Sequence, residues 1–183
     1  MKKNVLIALG SARQGNTLAL CNAFMEGAKA AGHEVTLVNV ANKKILGCRG
    51  CENCFVNGRV CVQHDAMEEL YPLYQNADVL VLASPIYFSG MTGQLKCFLD
   101  RTYANEKAPH GLKAKTKQAA LILTAGSPEG SDAFESAIKI YTDLIKYQSL
   151  ADGGILTAGP MGHSPEAVSK EYLSRAYEMG KNL

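Results

Sequence analysis

Residues 4–17 read NVLIALGSARQGNT, and this stretch decides the fold. Apolar side chains run without alternation from Val5 to Leu9 and stop at Gly10. A short continuous apolar run suits a strand buried on both faces, as in a parallel sheet. From Asn16 the spacing becomes helical: Leu18, Cys21, Met25 and Ala28 form one stripe, ended by Gly32. The turn between them, GSARQGNT at 10–17, is small and polar. At a helix N-terminus such a turn can gather backbone N–H groups around an anion. Ser11, Asn16 and Thr17 add side-chain donors, and Arg13 adds a cation suited to phosphate. The plainer alternative is a simple helix cap at Asn16. The turn lacks the Gly-Lys-Ser/Thr ending of a nucleotide P-loop, and Ala12 replaces the second glycine of a dinucleotide fingerprint.

Outward from this unit the same alternation continues. HEVTLVNV (33–40), ADVLVLASP (77–85), KQAALILTAGS (117–127) and GGILTAGP (153–160) read as strands. Helices are expected over 66–76, capped by Asp65, over 92–103, along the stripe Phe134, Ile138, Tyr141, Ile145, and over 165–179. Five strands alternating with five helices predict a parallel sheet covered on both faces, in a single domain over 1–183. The loops that follow the strands then share one rim, and ligands bind where the winding reverses. The pattern does not fix the strand order.

Composition excludes several classes. The 183 residues are 47% apolar and 20% charged, which argues against disorder. A net charge of +2 with no long basic run gives no sign of nucleic-acid binding. The apolar stretch near the start is too short for a signal peptide, and no run reaches the roughly 18 residues of a membrane helix. The expectation is a soluble cytoplasmic protein with no nucleic-acid or membrane partner, and with its thiols reduced.

Six cysteines are present, and four fall in the loop 41–64, spaced Cys-x2-Cys-x2-Cys-x6-Cys at Cys48, Cys51, Cys54 and Cys61. Consecutive three-residue spacings differ from the separated pairs of zinc knuckles and suit the wrapping of an iron–sulfur cube. Arg49 and Arg59 would offset thiolate charge. A cluster, zinc, and free or redox-active thiols all remain open. Cys21 and Cys97 sit in helical patterns and read as core packing. His64, His110 and His163 read as surface histidines, and Asp100-Arg101 as a salt-bridged, solvated helix end. Tyr103 with NEKAPHG (105–111) reads as solvated surface, or as a contact or lid.

Two motifs together resemble flavodoxin-like NAD(P)H-dependent FMN reductases. GSARQGNT resembles that family's phosphate loop, Gly-Ser-x-Arg-x-x-Gly/Ser-Asn-Thr, and SPIYFSGMTGQLKCFLDR (84–101) is similar to its second flavin loop and following helix. The resemblance implies a three-layer sandwich with a five-stranded parallel sheet in the order 2-1-3-4-5. It implies FMN as cofactor, held at the switch between strands one and three, and NAD(P)H as donor. Carried over residue by residue, Ser11, Arg13, Gly15, Asn16 and Thr17 would hold the FMN phosphate. Pro85, Ile86, Tyr87, Phe88, Ser89 and Gly90 would border the isoalloxazine, and Thr124, Ala125, Gly126 and Ser127 its pyrimidine edge. No catalytic acid or base is expected, because the protein's task is to orient flavin and donor.

The cysteine segment resembles the iron–sulfur flavoprotein branch of that family, whose compact motif is Cys-x2-Cys-x2-Cys, four to seven residues, then Cys. This implies Cys48, Cys51, Cys54 and Cys61 as ligands of a 4Fe–4S cluster. Ala66 departs from a second aspartate common in the branch. A homodimer or homotetramer is implied as well. The expected function is transfer of electrons from NAD(P)H or a reduced protein to a quinone, nitro compound or flavin. The alternative is an electron carrier without its own small-molecule substrate. A receiver-like domain is disfavoured, since no acidic cluster ends the first strand.

Overall fold

The computed structural model describes residues 1–56, 60–107, 115–162, 164 and 168–183, without the side chains of 106 and 107. Arg59, His110, His163 and most of 105–111 therefore lie outside the described residues. Among the described residues five strands and five α-helices alternate: β1 (Asn4–Leu9), α1 (Asn16–Ala30), β2 (Glu34–Asn39), α2 (Met67–Asn76), β3 (Val79–Pro85), α3 (Gly93–Lys107), β4 (Gln118–Thr124), α4 (Glu135–Gln148), β5 (Ala151–Ala158) and α5 (Lys170–Lys181). The strands form one parallel sheet in the order β2-β1-β3-β4-β5. That is the flavodoxin-like order.

Strand pleating sends alternate side chains to opposite faces. Leu6, Ala8, Leu80 and Leu82 face a core shared with Leu70 and Tyr74 of α2, Leu95 and Phe98 of α3, and Tyr141 of α4. Val5, Ile7, Val79 and Val81 face the other core, with Leu20 and Phe24 of α1 and Ala176 of α5. β3 lies in the middle of the sheet and is buried along its whole length, which is why its sequence does not alternate. α1 and α5 cross almost backbone to backbone. A Cβ on Gly27 would stand 1.9 Å from the Tyr177 carbonyl oxygen, and one on Gly180 2.0 Å from that of Phe24.

Several boundaries differ from expectation. β4 stops at Thr124 and leaves 125–127 in a loop. β5 begins at Ala151, whose N–H donates to the Lys117 carbonyl at the end of the sheet. α3 runs to Lys107. α5 starts only at Lys170, where the Ser169 Oγ accepts from the Tyr172 N–H at 3.3 Å. No helix among the described residues is long and apolar enough to cross a membrane.

Candidate functional site

The loop after β1 enters α1 without a side-chain cap. Gly15 is the capping residue, no acid occupies the first turn, and the Ala19 N–H is bonded to the Gly15 carbonyl at 3.1 Å. Helix geometry leaves the N–H groups of Asn16, Thr17 and Leu18 without intrahelical acceptors. A simple cap at Asn16 is therefore not what forms: Asn16 is already helical. Its Nδ2 donates to the Gly162 carbonyl at 2.7 Å, while its Oδ1 is buried without a partner among the described residues. Arg13 is exposed, and Ser11 is buried with its Oγ donating to the Arg13 carbonyl at 3.2 Å. Thr17 turns inward, its hydroxyl 2.7 Å from that of Thr124 at the end of β4. This bond ties the first loop to the third.

Other contacts, which sequence reasoning missed, knit the rim. Thr92 Oγ1 donates to the Gly10 carbonyl at 2.8 Å, and Asn39 Nδ2 donates to the Ser11 carbonyl at 2.8 Å. Ser84 Oγ accepts the Thr92 N–H at 3.0 Å. A Cβ on Gly10 would meet Thr92 Oγ1 at 2.6 Å and Leu95 Cβ at 2.8 Å, so only glycine lets the first loop and α3 approach. Periodicity cannot mark such polar residues, because their partners lie far away in sequence.

After β3, the Ile86 N–H donates to the Thr124 carbonyl at 2.8 Å. Tyr87 and Gly90 then exchange backbone hydrogen bonds of 3.0 and 3.1 Å around Phe88 and Ser89, whose φ angles are 47° and 59°. Two positive φ values mark a tight hairpin turn that normally takes glycine or asparagine. Holding other residues there costs about 1 kcal/mol or more each. Phe88 at its tip is 108% exposed and Tyr87 53%. A strained turn that projects an aromatic ring into solvent has no packing explanation among the described residues.

In the third loop Thr124 and Ala125 are buried. The Ala125 N–H is engaged by the Ala158 carbonyl at 3.1 Å, a point the sequence does not reveal. Glu129 accepts from both terminal nitrogens of Arg175 (3.0 and 2.7 Å) and from the Tyr172 hydroxyl, which fastens this loop to α5. Those hydrogen bonds hold the Glu129 carboxyl below its ordinary value.

The cysteine segment lies between β2 and α2. Cys48 and Cys51 are exposed and Cys54 and Cys61 partly buried, and all four line one cavity with Arg49, Arg101 and Tyr103. Gly50 and Glu52 adopt left-handed backbone and turn the chain between the thiols. Phe55 meets Tyr103 edge-on, with ring centroids 5.9 Å apart. Hydrogen bonding from Asn53 lowers the Cys51 thiol, whereas burial, with the neighbouring thiols adding to it, raises Cys54. Among the described residues no three Cys, His, Asp or Glu side chains converge as a site for one metal ion. Beside the cavity a groove of about 680 Å³ runs between α3 and α4, walled by Leu99, Tyr103, Ile140, Leu144 and Tyr147, and reaches Cys48.

Asp100 behaves as expected, paired with Lys96 on the surface. Arg101 does not. It is 1% exposed and bonded to Asp65, so its expected solvated role is corrected to a buried ion pair. His64 is exposed beside Glu68, as expected for a surface histidine. Cys21 is buried, and burial pushes its thiol up to about 12, which suits packing rather than chemistry.

Residues 3–156 match the family model described as NADPH-dependent FMN reductase. An iron–sulfur flavoprotein of Archaeoglobus fulgidus is 32% identical over 180 residues, covering 96% of this chain and 76% of that protein. One of Methanosarcina thermophila is 32% identical over 122 residues, covering 66% of this chain and 62% of the relative. An NAD(P)H:quinone oxidoreductase from Methanothermobacter marburgensis superposes with a TM-score of 0.77 at 20% identity, over 100% of this chain and 97% of that one. At that identity the likeness concerns the fold.

Proposed function

The chain belongs to the NADPH-dependent FMN reductase family, with iron–sulfur flavoproteins among its relatives, and from that premise we propose how its own residues work. The observation that carries the reading is the uncapped N-terminus of α1 in a loop that bears Arg13 and is bonded to the loops after β2, β3 and β4. Free N–H groups, the positive helix end and a nearby guanidinium make a phosphate seat. Ser11, Arg13, Gly15, Asn16 and Thr17 are proposed to hold the FMN phosphate. Asn16 contributes its backbone N–H first, since its side chain is tied to Gly162.

Pro85, Ile86, Tyr87, Phe88, Ser89 and Gly90 are proposed to border the isoalloxazine. The exposed rings of Tyr87 and Phe88 exclude water from a flat apolar ligand and leave room for a nicotinamide to stack. Gly126 and Ser127 would offer backbone groups to the pyrimidine edge, and Thr124 and Ala125, whose carbonyls are already bonded to Ile86 and Met161, would shape the wall beside it. When bound, FMN would supply the redox chemistry, two-electron exchange with NAD(P)H and one- or two-electron exchange with an acceptor. The chain orients donor and flavin and needs no side-chain acid or base.

Cys48, Cys51, Cys54 and Cys61 are proposed ligands of a 4Fe–4S cluster, a one-electron centre when bound. Four thiols spread around one cavity suit a cube with one sulfur per iron better than a single ion. The groove that reaches Cys48 is lined by apolar and tyrosine side chains together with Lys96, Asp100 and Asp143, and has a volume within the range of small-molecule sites, which supports quinones, nitro compounds or flavins as acceptors. Homodimers or homotetramers that cover the exposed turn at Phe88 belong to the same proposal, as does a protein redox partner.

The test is an FMN titration of flavin-free protein followed by fluorescence quenching. Arg13→Ala is expected to weaken binding roughly 10- to 100-fold, the loss of one charge-assisted phosphate contact. Equal affinity in parent and variant removes the phosphate seat. Turnover of NAD(P)H with a quinone by the FMN-loaded protein tests the oxidoreductase reading.

A further inference from the structure

The cysteine segment has two exposed thiols, two left-handed turns and, among its described residues, no strand or long helix of its own, yet its two ends are fixed. One buried side-chain pair touches both ends. The Arg101 guanidinium on α3 donates through Nη1 to Asp65 Oδ2 at 2.6 Å and through Nη2 to Oδ1 at 3.3 Å. Both side chains are 1% exposed. The same Nη1 donates to the Leu46 carbonyl at 2.9 Å, and Nε donates to the Tyr71 hydroxyl of α2 at 3.3 Å. Asp65 in turn accepts the Leu46 N–H at 2.9 Å and the Met67 N–H at 2.9 Å. The peptide groups around Leu46 thus meet one ion pair from both sides, two residues before Cys48, and the partner carboxylate sits four residues after Cys61.

We propose that the Arg101–Asp65 pair is a positioning clamp that closes the mouth of the cysteine segment and so gathers Cys48, Cys51, Cys54 and Cys61 around one cavity before any metal binds. Two weaker bonds lie in the same place: Gln63 Nε2 to the Gly47 carbonyl at 3.1 Å, and the Ala66 N–H to the Lys44 carbonyl at 3.2 Å. Arg101 itself lines the cavity that holds the four thiols. Closing the ends of a loop removes in advance the closure part of the entropy that ligation would otherwise cost. A bidentate fork to a buried carboxylate sets geometry that a lysine cannot reproduce. The clamp rests on the cluster reading only for what the thiols hold; the clamp stands or falls by itself.

The experiment uses the reduced, metal-free full chain with cadmium as probe, alongside Asp65→Asn, Arg101→Met and Arg101→Lys. Folding of each variant is read from FMN affinity, which the clamp leaves unchanged. Cadmium affinity, followed by thiolate absorbance, is expected to fall roughly 10- to 100-fold in Asp65→Asn and Arg101→Met, the usual cost of removing a supporting partner behind metal ligands. Arg101→Lys keeps the charge but not the fork, and is expected to recover only part of that loss. Amide exchange by mass spectrometry gives a second readout: the Leu46 and Met67 amides exchange slowly in the parent and faster in the variants. Folded variants with parental cadmium affinity and parental exchange overturn the clamp, as does full affinity in Arg101→Lys. Fast exchange at Leu46 and Met67 in the parent overturns it even where a variant does not fold. A parent that binds cadmium tightly and exchanges slowly, but takes up no iron on anaerobic reconstitution, defeats the cluster reading and leaves the clamp intact.

Discussion

The rim proposed to seat the flavin and the cysteine segment are built on opposite plans. At the rim, loops after four strands are held by many modest contacts: Thr17 to Thr124, Thr92 to Gly10, Asn39 to Ser11, and Ile86 to Thr124. The sheet positions all of them, so no single bond carries the site. The cysteine segment lies outside the sheet, with Ile45, Cys54, Val60 and Cys61 packed against the core, and its two ends meet at one buried ion pair with two weaker bonds beside it. A site on the rim of a parallel sheet inherits rigidity from the core, whereas an insertion has to acquire its own.

The largest expected effect tests that contrast directly. Asp65→Ala leaves the Arg101 charge buried and unpaired and is expected to cost about 3–5 kcal/mol in urea unfolding. A value near that of an ordinary surface substitution breaks the comparison. Next, Gly10→Ala forces a Cβ against Thr92 and Leu95. It is expected to cost about 1–3 kcal/mol and to weaken FMN binding, read by fluorescence titration. Thr124→Val removes one rim bond and should cost only about 0.5–1.5 kcal/mol, because its neighbours keep the loops in place.

Acid unfolding sharpens the same distinction. Burial raises the Asp65 carboxyl, but the Arg101 fork and the Leu46 and Met67 N–H groups outweigh it and hold the carboxyl below its ordinary value of 3.8. A depressed folded value means stability that is present above pH 3.8 and lost as pH falls through the lower, folded value. Asp65→Asn is therefore expected to flatten the loss of stability below pH 3.8 in acid-unfolding curves, and a curve as steep as the parent's counts against the pair. The smallest effect has the opposite sign. Ser89 is exposed with a φ of 59°. Ser89→Gly relieves that backbone and should gain up to about 1 kcal/mol in thermal unfolding.

Legibility in the sequence followed the same division. Unbroken apolar runs such as Val79–Pro85 and the stripe at Leu18, Cys21, Met25 and Ala28 announced buried strands and a covering helix, because burial leaves a period. The glycine-rich turn and the cysteine spacing were legible because each is contiguous. Asn39, Thr92 and Ser84 were not, since each is one polar residue whose partner lies on another element. For Arg101 the sequence predicts a solvated side chain, because an arginine near a helix end usually is solvated. Its burial depends on a carboxylate 36 positions earlier in the chain.

By itself the sequence determined the number and kind of elements and which of their faces are buried, and it displayed the two short motifs on which the proposed chemistry rests. These depend on neighbours along the chain and on the period of burial. The tertiary structure alone decided which loops touch at the rim, that the Phe88 turn stands strained and exposed, and that Arg101 meets Asp65 across the mouth of the cysteine segment. Such contacts join residues far apart in sequence, and a linear pattern records how deeply a side chain is buried but not which partner it meets there.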